Sequence, residues 1–163
     1  MADPGGKFDP LGMLAALDRH RVGYIVIGGF ARVIQGAEET TRGVDIVPST
    51  RPENLRRLGL ALDELEARPV DGDDRALSER SERPYVVRTG LGELKIVTTP
   101  AGTGGYDDLR RAATREPLGR GVRPAVASTG DLARMLAAHG GAGAALVQLR
   151  RLAELERGRG IDR

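Results

Sequence analysis

The sequence predicts an α/β (α+β) protein in which a mixed β-sheet is flanked by helices, with further helices at the C-terminal end. A short apolar run rich in β-branched residues, 22–27, ends in Gly28-Gly29 and is followed by a helix-like segment. A second strand-like run follows at 44–48, and two more, 84–89 and 93–98, lie on either side of a turn signal. Strands that alternate with helices and then form a hairpin are typical of a mixed sheet.

The chain length of 163 residues is enough for one domain with a hydrophobic core. We expect this domain to cover 9–157, between a flexible N-terminus, 1–8, and a flexible tail, 158–163. No apolar run approaches the roughly eighteen residues of a membrane span, the first residues lack the apolar stretch of a signal peptide, and cysteine is absent. The sequence therefore predicts a cytoplasmic protein with no membrane partner.

Caps and turn signals set the expected order of the elements. Asp9 before Pro10 is a typical N-cap pattern, and both Thr50-Arg-Pro-Glu53 and Ser128-Thr-Gly-Asp131 have the form of a capping box. Thr89-Gly-Leu-Gly92 indicates a hairpin turn, and the highly charged segment 68–83 predicts a loop. The expected helices are 9–20, 30–35, 50–66, a short one from Tyr106, 128–139 and 144–157, and a further extended run covers 121–127.

Gly28, Gly29 and Asp45 form the pattern with the most chemical content. Paired glycines between a strand and a helix let backbone amides approach a phosphate, although such pairs also occur at simple turns. Asp45 stands in an otherwise apolar run, where a carboxylate is costly unless it forms an ion pair or binds a metal. Strand alternation places Gly43 on the same face as Asp45. The pattern indicates a phosphate and metal site or, for Asp45 alone, an ion pair with an arginine.

These residues resemble the signature of the DNA polymerase β-like nucleotidyltransferase superfamily: a hydrophobic residue, Gly, Gly or Ser, a spacer, and then Asp-hydrophobic-Asp. Gly28, Gly29 and Asp45 match it, whereas Gly43 stands where the first Asp would be. The resemblance implies a nucleoside triphosphate (NTP) at the glycines, with Thr41 and Arg42 among the nucleotide-binding residues. It also implies Mg²⁺, bound by carboxylates that include Asp45.

A closer resemblance is to the bacterial AbiEii-like and MenT-like nucleotidyltransferases, which are the toxins of toxin–antitoxin pairs. The matching segments are Thr41-Arg-Gly-Val-Asp45, Glu53-Asn-Leu55, Leu62-Asp-Glu-Leu65, 101–109 and 126–132. This resemblance covers roughly residues 10–155 and implies a cation on the helix after the last segment, which Arg134 matches. It also implies an Asp before the final helix, where this chain has Gly140-Gly-Ala-Gly-Ala144.

The strand at 93–98 carries two charged candidates, Glu93 and Lys95, which share one face. By the resemblance, an Asp is expected where Lys95 stands. Asp45 and Glu93 are therefore expected to form a reduced Mg²⁺ site, which is weak because Mg²⁺ prefers several oxygen ligands. Lys95 is expected to contact a phosphate, to take the place of Mg²⁺, or to be a plain surface cation.

The basic residues are almost all arginine, since Lys7 and Lys95 are the only lysines in a chain of net charge +2. This bias suits contact with phosphate and is also typical of a GC-rich genome. Arginines are concentrated in 109–124, where Glu116 is the only acid, and this segment is either a track for an RNA backbone or a solvated basic face. These arginines are Arg110, Arg111, Arg115, Arg120 and Arg123.

The sequence therefore predicts a nucleotidyltransferase-fold protein of the toxin class, which transfers a nucleotide from an NTP to an acceptor such as a tRNA 3′ end. Asp45, Lys95 and Arg134 are the expected catalytic residues, and Gly43 marks the missing Asp that weakens activity. The expected partners are an NTP, tRNA or other RNA, and a cognate antitoxin protein. The alternatives are an inactive NTP-, RNA- or protein-binding module of the same fold, and Gly43 as a substitution in an otherwise active parent.

Overall fold

The computed structural model describes residues 7–72, 75, 84–140 and 143–161. Within these ranges the chain forms six helices and seven strands. The helices are α1 (Pro10–Arg19), α2 (Gly28–Ile34), α3 (Pro52–Glu64), α4 (Tyr106–Leu109), α5 (Thr129–Ala138) and α6 (Ala144–Ile161). The strands are β1 (Tyr24–Ile27), β2 (Gly43–Pro48), β3 (Arg68–Pro69), β4 (Tyr85–Thr89), β5 (Gly92–Ile96), β6 (Thr114–Arg115) and β7 (Ala125–Val126). All the expected elements are present, and β3 and β6 are additional.

The strands form one mixed sheet in the order β3-β4-β5-β2-β1-β7-β6. The central strand β2 is antiparallel to β1 and parallel to β5, and β1 is parallel to β7. The parallel pairs join strands that are distant in sequence, because parallel neighbours need a crossover connection. The predicted fold class, a mixed sheet flanked by helices, is confirmed.

The core lies around β1, whose four residues are all buried. A strand that is buried throughout is covered on both faces, which explains why its sequence is continuously apolar rather than alternating. The helices contact one another in two groups, α1 with α3, and α5 with both α2 and α6. Leu14, Leu58, Leu132 and Leu149 supply fully buried side chains from four of these helices. Among the described helices, none has the length and hydrophobicity needed to cross a lipid bilayer.

Asp9 and Ser128 are confirmed as N-caps of their helices. The Asp9 carboxylate accepts a hydrogen bond from Gly12 N at 3.0 Å, and Ser128 Oγ accepts one from Asp131 N at 3.0 Å. The predicted capping box at Thr50 is wrong, because Arg51 is the N-cap of α3 and makes no capping hydrogen bond with its side chain. The Glu53 carboxylate, which a capping box would use, instead pairs with Arg56 at 2.7 Å one turn later.

The predicted loop over 68–83 is wrong at its start, where β3 pairs with β4. Arg68 lies opposite Arg88, and Val70 N donates to Val86 O at 3.0 Å. Two residues are too short to give a strand pattern in the sequence, and the pairing depends on a segment far along the chain. Several predicted segments lie outside the described residues. They are the rest of the predicted loop at 73–74 and 76–83, Gly141 of the predicted break, and the two ends of the chain at 1–6 and 162–163.

Candidate functional site

A cavity of about 460 Å³ lies where β1 leads into α2. Its walls come from Ile27, the two glycines and Arg32, from one residue each of β2 and β5, and from the residues that follow β5. The opposite wall is one face of α5 with its C-terminal neighbour, namely Leu132, Met135, Leu136 and His139. The cavity therefore has an apolar wall facing a group of glycines and charged side chains, an arrangement typical of small-molecule sites.

Gly28 lies directly against Asp45. The two segments are held in register because Ile27 is the partner of Asp45 in the antiparallel β1–β2 pair. Gly28 has a φ of 73°, and a Cβ at this position would lie 2.9 Å from Asp45 Cγ and 3.1 Å from Asp45 Cβ. Both the backbone conformation and the lack of space therefore require glycine at position 28. The predicted proximity of the glycine pair and the acidic strand is present in the structure.

Gly29 differs from Gly28, because the structure leaves room for a side chain at position 29. A Cβ on Gly29 would be 3.6 Å from Arg32 Nη2 and 3.7 Å from Thr41 Cβ, which are ordinary contact distances. These distances place both Arg32 and Thr41 beside the first turn of α2. The N-cap of that helix is Ile27, whose side chain makes no capping hydrogen bond. The first-turn amides of α2 therefore have no side-chain cap among the described residues.

Asp45 is partly buried in the cavity, and burial raises the pKa of its carboxyl, while the charges of Lys95 and Arg32 lower the pKa in part. Among the described residues, no side chain forms an ion pair or hydrogen bond with this carboxylate. The alternative in which Asp45 pairs with an arginine therefore does not hold. A partly buried carboxylate without a protein partner is unfavourable for stability and is typical of a functional site.

Lys95 lies beside Asp45 on the neighbouring strand. The two residues are direct partners in the parallel β2–β5 pair, and Gly43 is the partner of Glu93. Partners in a sheet point to the same face, and both Asp45 and Lys95 line the cavity. Lys95 is half-buried, so it is not a plain surface cation.

The structure places the other predicted site residues around the cavity or outside it. Thr41 Oγ1 donates to Gly43 O at 2.9 Å and orders the backbone before β2, and Arg42 is exposed. The exposed carboxylate of Glu93 accepts from Arg88 at 3.2 Å and is not among the residues that line the cavity. Arg134 pairs with Asp108 and Asp131 at 3.0 and 3.1 Å and lines a separate cleft between α5 and α6.

Sequence reasoning missed three residues, Arg32, Glu39 and His139. Arg32 donates to both carboxylate oxygens of Glu39 at 2.7 and 2.9 Å, and this pair is largely buried. The spacing contained a usable signal, because Arg32 lies about one helical turn after Gly29 and must share its face. No local pattern identifies His139, which reaches the cavity only because α5 packs against α2.

All five arginines of the predicted track at 109–124 are exposed. Arg120 pairs with Asp9 at 2.6 Å, and Arg115 donates to Arg123 O at 3.2 Å. Arg110 lines a groove of about 360 Å³ with Arg21, Arg51, Arg57 and Tyr106. This groove, which we call the Tyr106 groove, also contains Gly23, just before β1. It therefore lies at the opposite end of β1 from Asp45.

Comparison with solved structures identifies the fold. The chain is similar to the solution structure of ANT(2'')-Ia, an antibiotic-resistance factor, with a TM-score of 0.55 and 14% identity over 91% of this chain and 82% of that chain. The crystal structure of ANT(2'')-Ia in complex with adenylyl-2''-tobramycin gives a TM-score of 0.54 and 16% identity, covering 91% and 87% of the two chains. A proposed nucleotidyltransferase from Thermotoga maritima gives 0.50 and 14%, with coverages of 91% and 87%. No protein-family model and no curated protein sequence matches the chain. The chain therefore has the nucleotidyltransferase fold that the sequence resemblance implied.

Proposed function

We propose that the cavity binds an NTP and that the chain is a nucleotidyltransferase-fold protein of the toxin class whose transfer activity is weakened. The observation that carries the proposal is the close approach of Gly28 to the unpaired Asp45 carboxylate inside the cavity. Position 28 admits no side chain, so the backbone at the start of α2 faces the carboxylate directly. The nucleotidyltransferase fold of the chain supports a nucleotide as the ligand.

The polar side of the cavity suits a triphosphate. Gly28 and Gly29 supply backbone amides without side chains that would obstruct an approaching phosphate. Arg32 and Lys95 line the same cavity and supply positive charge. Thr41 lies beside Gly29, and Arg42 is the next residue in the chain. We propose that both contact the nucleotide as it enters. The apolar wall formed by α5 offers a surface for the base.

The residues of the cavity do not fit Mg²⁺, which usually requires several well-placed oxygen ligands. Asp45 is the one acid among the described residues that line the cavity, and Gly43 supplies no carboxylate on the same strand face. No group of three or more potential metal-ligating side chains occurs in the described parts of the chain. Glu93, paired with Arg88, stays a predicted second ligand. We therefore propose that Mg²⁺ binds weakly and that nucleotide transfer is slow.

The acceptor in this proposal is an RNA, such as a tRNA 3′ end, and a cognate antitoxin is a further proposed partner. Both come from the resemblance to toxin nucleotidyltransferases. The arginines of the Tyr106 groove support an RNA partner, because arginine side chains suit contact with a phosphate backbone. Arg134 is proposed as a catalytic cation; it lies on α5, whose other residues form the apolar wall of the cavity.

A second candidate function is a catalytically inactive binding module of the same fold. The observation that favours it is the strand register, which places the cation Lys95 opposite the single carboxylate Asp45, where a second acid would be needed to hold a metal. Such a module would bind an NTP, RNA or a protein without transferring a nucleotide.

Incubation with labelled NTPs, Mg²⁺ and total tRNA tests the proposal and separates the two functions. The chain should be compared with Gly43→Asp, which adds a carboxylate on the face of Asp45, and with Asp45→Ala. A Cβ at position 43 would lie 3.0 Å from the Glu93 carbonyl oxygen, so a thermal melt must show that Gly43→Asp is folded. We expect slow transfer by the unchanged chain and faster transfer by Gly43→Asp.

The outcomes of this assay separate the possibilities. Vigorous transfer by the unchanged chain that survives Asp45→Ala would contradict the proposed site, because the active carboxylates would then lie elsewhere. No transfer by the chain or by folded Gly43→Asp, combined with measurable NTP binding, would favour the inactive binding module.

A further inference from the structure

The charges around the cavity differ from those of a site built for a divalent cation. Asp45 is the one carboxylate among its described lining residues, and the direct strand partner of Asp45 is Lys95. A fixed positive charge beside the only carboxylate repels a divalent cation at short range. The same charge attracts a phosphate oxygen. A second acid at position 95 would favour a metal ion beside Asp45. Lys95 at this position favours an anion instead.

Arg32 adds a second positive group that is held in place. Its Nε and Nη2 donate to the two carboxylate oxygens of Glu39 at 2.7 and 2.9 Å, so the guanidinium has one fixed orientation. A guanidinium has five N–H donors, and the remaining ones stay available for a ligand. Arg32 Nη2 lies 3.6 Å from the position of a Cβ on Gly29, so these donors lie beside the start of α2.

Gly28 connects the two positive groups. Gly28 lies beside the carboxylate of Asp45, and the strand partner of Asp45 is Lys95. Gly29 lies beside Arg32. The cations Lys95 and Arg32 therefore line the same cavity as the glycine pair. A polyphosphate that approaches the glycines therefore meets both cations as well as the backbone amides.

We propose that the cavity binds the polyphosphate of a nucleotide without a divalent cation, with Lys95 and Arg32 supplying the positive charge. This inference rests on the proposed function, since it concerns the same site. It predicts that a chelator does not weaken nucleotide binding. Arg32 orients the phosphates by donating several hydrogen bonds, and Lys95 supplies a point charge.

Calorimetric titration with ATP and with tripolyphosphate, once in EDTA and once in excess Mg²⁺, tests this inference. For the unchanged chain we expect the dissociation constants in the two conditions to agree within about threefold. Lys95→Gln should bind at least about tenfold more weakly, because it loses a hydrogen bond to a charged group. Arg88→Gln is the matched control, because it also removes one positive charge but lies on β4, outside the cavity. It should bind like the unchanged chain, and Lys95→Met replaces Lys95→Gln if the latter is unstable.

Each outcome has a distinct meaning. Binding that requires Mg²⁺ would overturn the inference and leave the proposed function standing. Equal affinities of Lys95→Gln and Arg88→Gln would overturn the role of Lys95. Absence of binding in both conditions would overturn the inference together with the proposed NTP site.

Discussion

Gly28 offers the simplest test of the cavity geometry, because two separate features of the structure forbid a side chain there. Its φ of 73° lies in the left-handed region, which costs a residue with a Cβ about 1–2 kcal/mol. The added Cβ would also overlap the Asp45 side chain, at 2.9 Å from Cγ, and overpacking of this kind typically costs about 1–3 kcal/mol. We therefore expect Gly28→Ala to lower the free energy of unfolding by about 2–5 kcal/mol.

Gly29→Ala is the matched control for this substitution. A Cβ on Gly29 would meet its nearest neighbours, Arg32 and Thr41, at 3.6–3.7 Å, and no positive φ opposes it. Its effect on stability should stay within about 0.5 kcal/mol. In an Asp45→Ala background the overlap with Cγ disappears while the 3.1 Å contact with Cβ remains, so Gly28→Ala should cost less than it does in the unchanged chain but still at least the conformational part of about 1–2 kcal/mol.

Urea unfolding followed by circular dichroism measures these differences, with midpoints compared at constant slope. Equal effects of Gly28→Ala and Gly29→Ala would refute the geometry at the start of α2. A cost of Gly28→Ala that is unchanged in the Asp45→Ala background would show that Asp45 does not occupy the space beside Gly28.

Two further predictions concern stability. Burial raises the folded-state pKa of Asp45 above its ordinary value of 3.8, so ionisation of this carboxyl destabilises the fold at pH values above its folded pKa and has no effect below 3.8. Asp45→Asn should therefore raise the melting temperature at pH 7, and this gain should shrink as the pH falls toward 4; a gain that grows on acidification would contradict the argument. Leu149 on α6 is fully buried, so Leu149→Ala should cost about 2–5 kcal/mol, whereas Leu155→Ala, at a position 54% exposed on the same helix, should change stability by less than about 0.5 kcal/mol. Equal midpoints for these two variants in urea would mean that α6 does not pack on the core.

Local patterns predicted the elements that depend on neighbouring residues. The hairpin between β4 and β5 is one example, since Thr89 Oγ1 accepts from Leu91 N at 3.0 Å and donates to Gly92 O at 2.8 Å. The N-caps at Asp9 and Ser128 are similar cases, because a short polar side chain needs only amides two or three residues away. The apolar run of β1 was equally clear, as its residues are buried on both faces.

Features that depend on distant parts of the chain were not available from one sequence. The parallel register that places Lys95 beside Asp45 follows from the order of the strands, and β3 exists only through its pairing with β4. The capping box at Thr50 failed because Arg56 competes for the Glu53 carboxylate. Strand alternation correctly put Glu93 and Lys95 on one face, but only the packing of α5 defines a cavity that is lined by Lys95 and not by Glu93.

The central claim is that an NTP binds beside Gly28 and Asp45, and amide chemical-shift mapping tests it directly. At 17.4 kDa the chain is suited to a two-dimensional NMR titration with each of the four NTPs. We expect the largest shifts at Gly28, Gly29 and Lys95, with little change around Tyr106. Shifts concentrated in the Tyr106 groove, at the opposite end of β1, would contradict the claim, and so would the absence of any saturable shift.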